Sequence, residues 1–104
     1  MAHQLIWSPH ALDDIERIAE YIARDSEFYA ATVAQRLFEA PLKLLEFPRL
    51  GRIVPETNTE LIRELFVHEY RLLYEIRETA VHVLAVVHGR RQFTAAMLDP
   101  EAGR

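Results

Sequence analysis

The sequence predicts an α+β domain of order β-α-α-β-β-β, with a helical hairpin packed on a small antiparallel sheet. Three observations predict it. A short apolar run from Gln4 to Trp7 is followed at once by Ser8-Pro9. Apolar residues then recur at three and four from Ala11 to Leu45, the spacing of helix faces. From Leu61 to Val87 the period becomes two, the spacing of strands.

Gln4 to Trp7 is read as a first strand, at or near a sheet edge because it is so short. Ser8 suits the N-cap of the helix that follows, since its hydroxyl can accept from an orphan amide of the first turn. Pro9 fits the first helical position, where its missing N–H costs nothing. Asp13, Asp14 and Glu16 lie toward the positive end of that helix. Leu12, Ile15, Ile18, Ala19 and Ile22 make its apolar face. Asp25-Ser26 breaks the pattern, and Ser26 caps a second helix whose apolar face is Ala30, Val33, Ala34, Leu37, Leu44 and Leu45. Pro41 removes the hydrogen bond to the carbonyl of Leu37, so the second helix either kinks or splits there.

Pro48 and Gly51 end helical structure, and a surface connection runs through Pro55 to Thr59. Leu61 to Val67 and Tyr70 to Ile76 form a hairpin across His68-Glu69, and Ala80 to Val87 is the last strand. Tyr70, Leu72, Tyr74 and Ile76 share one face of their strand, while Arg71, Leu73 and Glu75 share the other. In the last strand Val81, Val83, Ala85 and Val87 alternate with His82, Leu84 and Val86. That strand is apolar on both faces, so something besides the helical hairpin must cover part of the second face. The 104-residue length fits one domain, read as residues 1–98, with 99–104 a disordered end.

Composition excludes several classes. The absence of cysteine removes disulfides and thiolate metal sites. No run approaches a membrane span, and Met1-Ala2-His3-Gln4 is not the start of a secretory signal, so a soluble, cytoplasmic protein without membrane contact is expected. Twelve Lys+Arg against sixteen Asp+Glu give a net charge of −4, which does not steer nucleic acid inward. His10 and Asp14 stand at a chelating spacing, but nothing completes a site, and no metal or cofactor is expected. There is no Gly-rich phosphate loop and no Gly-x-Ser-x-Gly elbow.

Five segments, in order, resemble toxins of the ParE branch of the RelE/ParE family. They are Trp7 to Ile15 with Tyr21-Ile22; Phe47 to Arg52; Ile62-Arg63-Glu64-Leu65; Tyr70-Arg71-Leu72-Leu73-Tyr74; and Val87 to Arg91. The resemblance implies a toxin of a type II toxin–antitoxin system, held inactive by a cognate antitoxin that is ParD-like and DNA-binding. ParE-like members poison DNA gyrase, whereas RelE-like members cleave mRNA within the ribosome. A third possibility is a domain that binds its antitoxin without toxicity. Since the fold is shared, the choice rests on the site.

RNA cleavage without metal needs a base, an acid and cations at the phosphate. Its candidates are Arg71, His88 and Arg91. Against it, Arg63 is flanked by Glu60 and Glu64, and Phe93 stands where an ionisable ring would be wanted. Gyrase poisoning is therefore favoured, with no catalytic residue and no direct sequence-specific nucleic-acid binding by the toxin. The target-binding candidates are Pro48, Arg49, Arg52, Arg90 and Arg91, exposed loop positions. The antitoxin-binding candidates are Leu84, Val86, Phe93, Met97 and Leu98, with the helical hairpin adjoining. Plainer roles are also open. Arg71 can pair with Glu64 or Glu75, and Arg90 or Arg91 can be a solvated charge. Gly89 can supply a positive φ, and Trp7, Tyr21, Tyr70 and Tyr74 can pack in the core.

Overall fold

The structure is a computed structural model and describes residues 4–90. β1 (Gln4–Trp7) leads into α1 (Pro9–Ala23), with Ser8 extended at the N-cap and its hydroxyl accepting from the amide of Ala11 at 3.0 Å. α2 (Glu27–Glu39) begins on Ser26, which accepts from Tyr29 in the same way. Pro41 splits the second helix rather than kinking it: α2 stops at Glu39, and a 3-10 segment, Ala40–Leu45, continues with Pro41 in its first turn. The tighter turn tolerates a residue that cannot donate to the α-helical ladder.

A second 3-10 turn, Pro48–Leu50, precedes a two-residue strand, β2 (Arg52–Ile53), which the periodicity did not announce. β3 (Ile62–Val67), β4 (Tyr70–Ile76) and β5 (Ala80–His88) follow. The sheet order is β1-β5-β4-β3-β2, so the short first strand is an edge strand as expected. All neighbours are antiparallel except β1 and β5, which run parallel.

The helical hairpin covers one face. Ala11, Ile15, Val33, Leu37 and Leu44 pack there on Leu72, Tyr74, Val81, Val83 and Val86. Two assignments of single residues change. Ala11, fully buried, takes the core place on α1, while Leu12 is exposed. Tyr21 is not in the core but 68% exposed, with the Arg24 guanidinium 5.7 Å from its ring.

The alternation expected for the last strand also changes. Leu73 lies opposite Ala85 and Tyr74 opposite Val83, so Leu84 is an extra residue in β5, a bulge. One inserted residue resets a period of two. Before it Val81 and Val83 face the helices; after it Val86 does, while Val87 joins Leu84 on the other side. That second face is covered from within the chain, by Val54 of the β2–β3 connection and by Ile62, over Leu73, Leu84 and Val87.

β1 ends opposite Val83, so β5 runs on past it with no described strand on that edge. Side chains of α1 take over that edge: Ser8 donates its hydroxyl to the Leu84 carbonyl at 3.0 Å, and Asp14 accepts from the buried Val86 amide at 2.9 Å. Asp14 thus serves the sheet as well as its helix neighbours Arg17 and His10.

Candidate functional site

Three of the five segments singled out in the sequence contribute to one cluster, around the loop from Pro48 to Arg52. Tyr74 reaches this loop from β4. Its ring is fully buried; its hydroxyl donates to the Pro48 carbonyl at 2.7 Å and accepts from the Gly51 amide at 2.9 Å. Burial raises its pKa, and the bond from Gly51 opposes that in part. Arg63 holds the same loop from β3. Its Nη1 donates to the carbonyls of Arg49 and Gly51 at 3.2 and 3.0 Å, and its Nε donates to the Glu60 carbonyl at 2.9 Å. The loop is therefore held by hydrogen bonds on its inner side while Arg49, Leu50 and Arg52 face outward.

Beside it lies a chain of alternating charges. The Glu64 side chain, with no exposed surface, accepts from Arg52 Nε at 2.8 Å and from Arg71 Nε at 2.6 Å. Arg71, only 5% exposed, uses its Nη1 and Nη2 on the two oxygens of Glu56, each at 3.0 Å. That bidentate pairing is the leading cause of a raised Arg71 pKa, with burial opposing it and Glu64 adding to it. The same bond, opposed by burial, draws the Glu56 carboxyl below its ordinary range. Two arginines and two glutamates balance, so the cluster carries no net charge to offer a phosphate.

The sequence allowed Arg71 a partner in Glu64 or Glu75; Glu64 is one, and Glu56, in the connection read as surface loop, is the other. Glu75 pairs with Arg77 instead. Nothing in the periodicity marks Glu56, because the connection that carries it has no repeating pattern.

His88 and Arg90 lie away from the loop, at the end of β5. His88 meets Glu69 at 3.6 Å, packs edge-on against Tyr70, and its Nδ1 accepts from the Arg90 amide at 3.3 Å. Gly89 does not have the positive φ expected of it. Its amide donates to the Glu69 carbonyl at 2.6 Å, and a Cβ there would lie 2.9 Å from that oxygen, so close approach is what excludes a side chain. The positive φ belongs to His68, at 53° in the hairpin turn. Arg90 and the Pro48–Arg52 loop are thus two separate places, with Phe66 bordering both: Arg52 stacks on its ring, and it shares a hollow with Arg90. Of the antitoxin-binding candidates, Leu84 and Val86 lie on opposite faces, both nearly buried, with Val86 beneath the helical hairpin. Arg91, Phe93, Met97 and Leu98 lie outside the described residues. Among the described residues no group of three His, Asp or Glu side chains is placed to hold a metal, and no helix is long and apolar enough to cross a membrane.

The chain, a two-helix hairpin on one face of a five-stranded sheet with a charge-balanced cluster beside the loop before β2, is a small α+β toxin of the RelE/ParE superfamily. Within it the chain belongs to the ParE family: the family described as ParE toxin of type II toxin–antitoxin system, parDE, matches residues 5–93. A relative, Toxin RelE2 of Caulobacter vibrioides, is 33% identical over 88 residues, which cover 85% of this chain and 97% of that protein. Two solved structures share the fold. The chromosomal ParDE TA system from P. aeruginosa superposes with a TM-score of 0.68 at 17% identity, over 82% of this chain and 94% of that one. A doubly arginine-substituted E. coli toxin RelE in the free state superposes with a TM-score of 0.61 at 21% identity, over 98% and 95%.

Proposed function

We propose that this type II toxin acts by binding DNA gyrase and not by cleaving RNA, and that its antitoxin is ParD-like. The observation that carries this reading is the cage around Arg71. A ribonuclease built on this strand needs its arginine at the phosphate, where charge develops in the transition state. Here the guanidinium is buried and spends its donors on Glu64 and Glu56. Freeing it would strand the Glu64 carboxylate with Arg52 alone, and breaking a buried pair of this kind costs roughly 3–5 kcal/mol. His88, the other described member of the ribonuclease set, is turned toward Glu69.

The outward side chains Arg49 and Arg52, on a loop held rigid from beneath, are proposed to meet gyrase together with Pro48, Arg90 and Arg91. The antitoxin is proposed to cover the apolar residues of the tail, Phe93, Met97 and Leu98, and the adjoining hairpin, where Tyr21, Phe28 and Tyr29 stand exposed. Val86 would then support that surface from beneath the hairpin, while Leu84 faces the other side of the sheet.

The alternative, ribosome-dependent RNA cleavage, draws on the name of the Caulobacter relative. The two are separated by supercoiling of relaxed plasmid with purified gyrase while the toxin is titrated in. Inhibition with accumulation of cleaved DNA, reversed by the antitoxin, is the expected result. No inhibition at large excess, together with mRNA cleavage on ribosomes, would transfer the function to Arg71, His88 and Arg91.

A further inference from the structure

β2 pairs only with Arg63 and Glu64, so among the described residues no strand lies beside the outer edge of β3 from Leu65 to Val67. The second helix passes above this open edge, and the two enclose a hollow of about 670 Å³. One wall carries Thr32, Gln35, Arg36 and Lys43; the other carries Phe66 and His68. Half of the described lysines and arginines have a carboxylate within salt-bridge distance: Arg17, Arg49, Arg52, Arg71 and Arg77. Arg36 and Lys43 have none among the described residues, and they alone of the remaining described cations line this hollow. The single acid of the lining, Glu39, accepts from Gln35 at 2.8 Å.

We propose that this hollow binds the phosphodiester backbone of a single nucleic-acid strand. Arg36 and Lys43 are seven residues apart along the wall, roughly 11 Å along its axis. A strand laid along the wall would meet the two cations in turn. His68 faces them from the opposite wall. Phe66, on the rim, is 58% exposed, and its ring is stacked with the Arg52 guanidinium at 5.4 Å. Exposed aromatic rings beside cations are the platform on which unpaired bases stack without sequence preference. The local balance, two cations against one engaged acid, runs opposite to the chain's net charge of −4. The hollow is distinct from the Arg71 cluster.

The test is fluorescence anisotropy of a labelled thymidine dodecamer and its uridine counterpart against the full chain. Two phosphate contacts predict a logarithmic salt slope of about −1.4, a loss of roughly sevenfold in affinity from about 50 to about 200 mM salt. The double variant Arg36→Glu/Lys43→Glu is expected to bind more than tenfold more weakly. Arg24→Glu, half that charge change at a cation outside the hollow, should stay within twofold. If the double reversal fails to fold by circular dichroism, Arg36→Gln/Lys43→Gln takes its place, with the same direction expected. Tighter binding of one oligomer identifies the strand as DNA or RNA, and equal binding shows that the backbone alone is read. The absence of saturable binding at low salt, or binding unaffected by either double variant, overturns the proposal. Equal competition by an oligoglutamate peptide also overturns it and assigns the hollow to an acidic polypeptide.

Discussion

The Gly51 amide hydrogen-bonds the Tyr74 hydroxyl at 2.9 Å, and a Cβ at position 51 would lie 2.6 Å from that oxygen and 2.7 Å from the Glu64 carbonyl. The loop proposed to face the target is thus seated directly on a core side chain, with no room between them. Gly51→Ala must displace either the Tyr74 ring or the β3 backbone, and overpacking of this kind costs about 1–3 kcal/mol. Tyr74→Phe keeps the packing and removes both hydrogen bonds, at about 1–3 kcal/mol for the orphaned groups. Urea unfolding measures both. A Gly51→Ala protein as stable as the parent would show that the loop stands off from Tyr74.

Burial raises the pKa of Tyr74 above its ordinary value of 10.0, and of Tyr70 likewise, with Glu69 adding to the latter. The folded state therefore holds these protons more tightly than the unfolded chain. Their contribution is fully present below pH 10 and is lost as the pH rises through the folded values. Stability should fall on the alkaline side, and less steeply in Tyr74→Phe. Parallel slopes in the two proteins would remove Tyr74 as the cause.

Glu56 behaves in the opposite sense. Its bond to Arg71 lowers its pKa from an ordinary 4.5, so its contribution is present above that value and lost as the pH falls through the folded one. Glu56→Gln should lower stability at neutral pH and flatten the acid limb of the stability curve. Glu64→Gln, at a fully buried position between two guanidiniums, should cost more, roughly 3–5 kcal/mol. Equal, small losses in both would mean that Arg71 finds other partners.

Asp14→Ala leaves the buried Val86 amide without its acceptor, at about 1–3 kcal/mol, while Asp14→Asn retains an acceptor oxygen and loses less. Amide hydrogen exchange at Val86, accelerated in the alanine variant, reports the same bond directly. Unchanged exchange would place the acceptor elsewhere.

His68 occupies the left-handed region at φ 53°. His68→Gly removes that strain and should raise stability by roughly 0.5–1 kcal/mol. A loss would instead assign weight to the edge contact between His68 and Tyr29.

Reversal of charge at Arg90 and Arg91 together should abolish gyrase inhibition while antitoxin binding, read by co-purification, persists. Retained inhibition would take both residues out of the target surface.

Much of this architecture is legible in the chain itself. Ser8 and Ser26 announce the helix starts, the spacing of apolar residues marks which segments coil, and Pro41 marks where the second helix must change. These signals are local: a cap, a missing N–H and a period of 3.6 or 2 act within a turn or a few residues, so they can be read without knowing the neighbours. Tyr74 was legible as a core residue, but not its grip on Pro48 and Gly51. The tertiary structure decided that grip, the pairing of Arg71 with Glu56 and the bulge at Leu84. It also decided the parallel docking of β1 on β5 and the covering of the sheet's second face by Val54. Each depends on which distant segments packing brings within a few ångströms, and a buried charge takes its partner from whatever carboxylate the fold delivers.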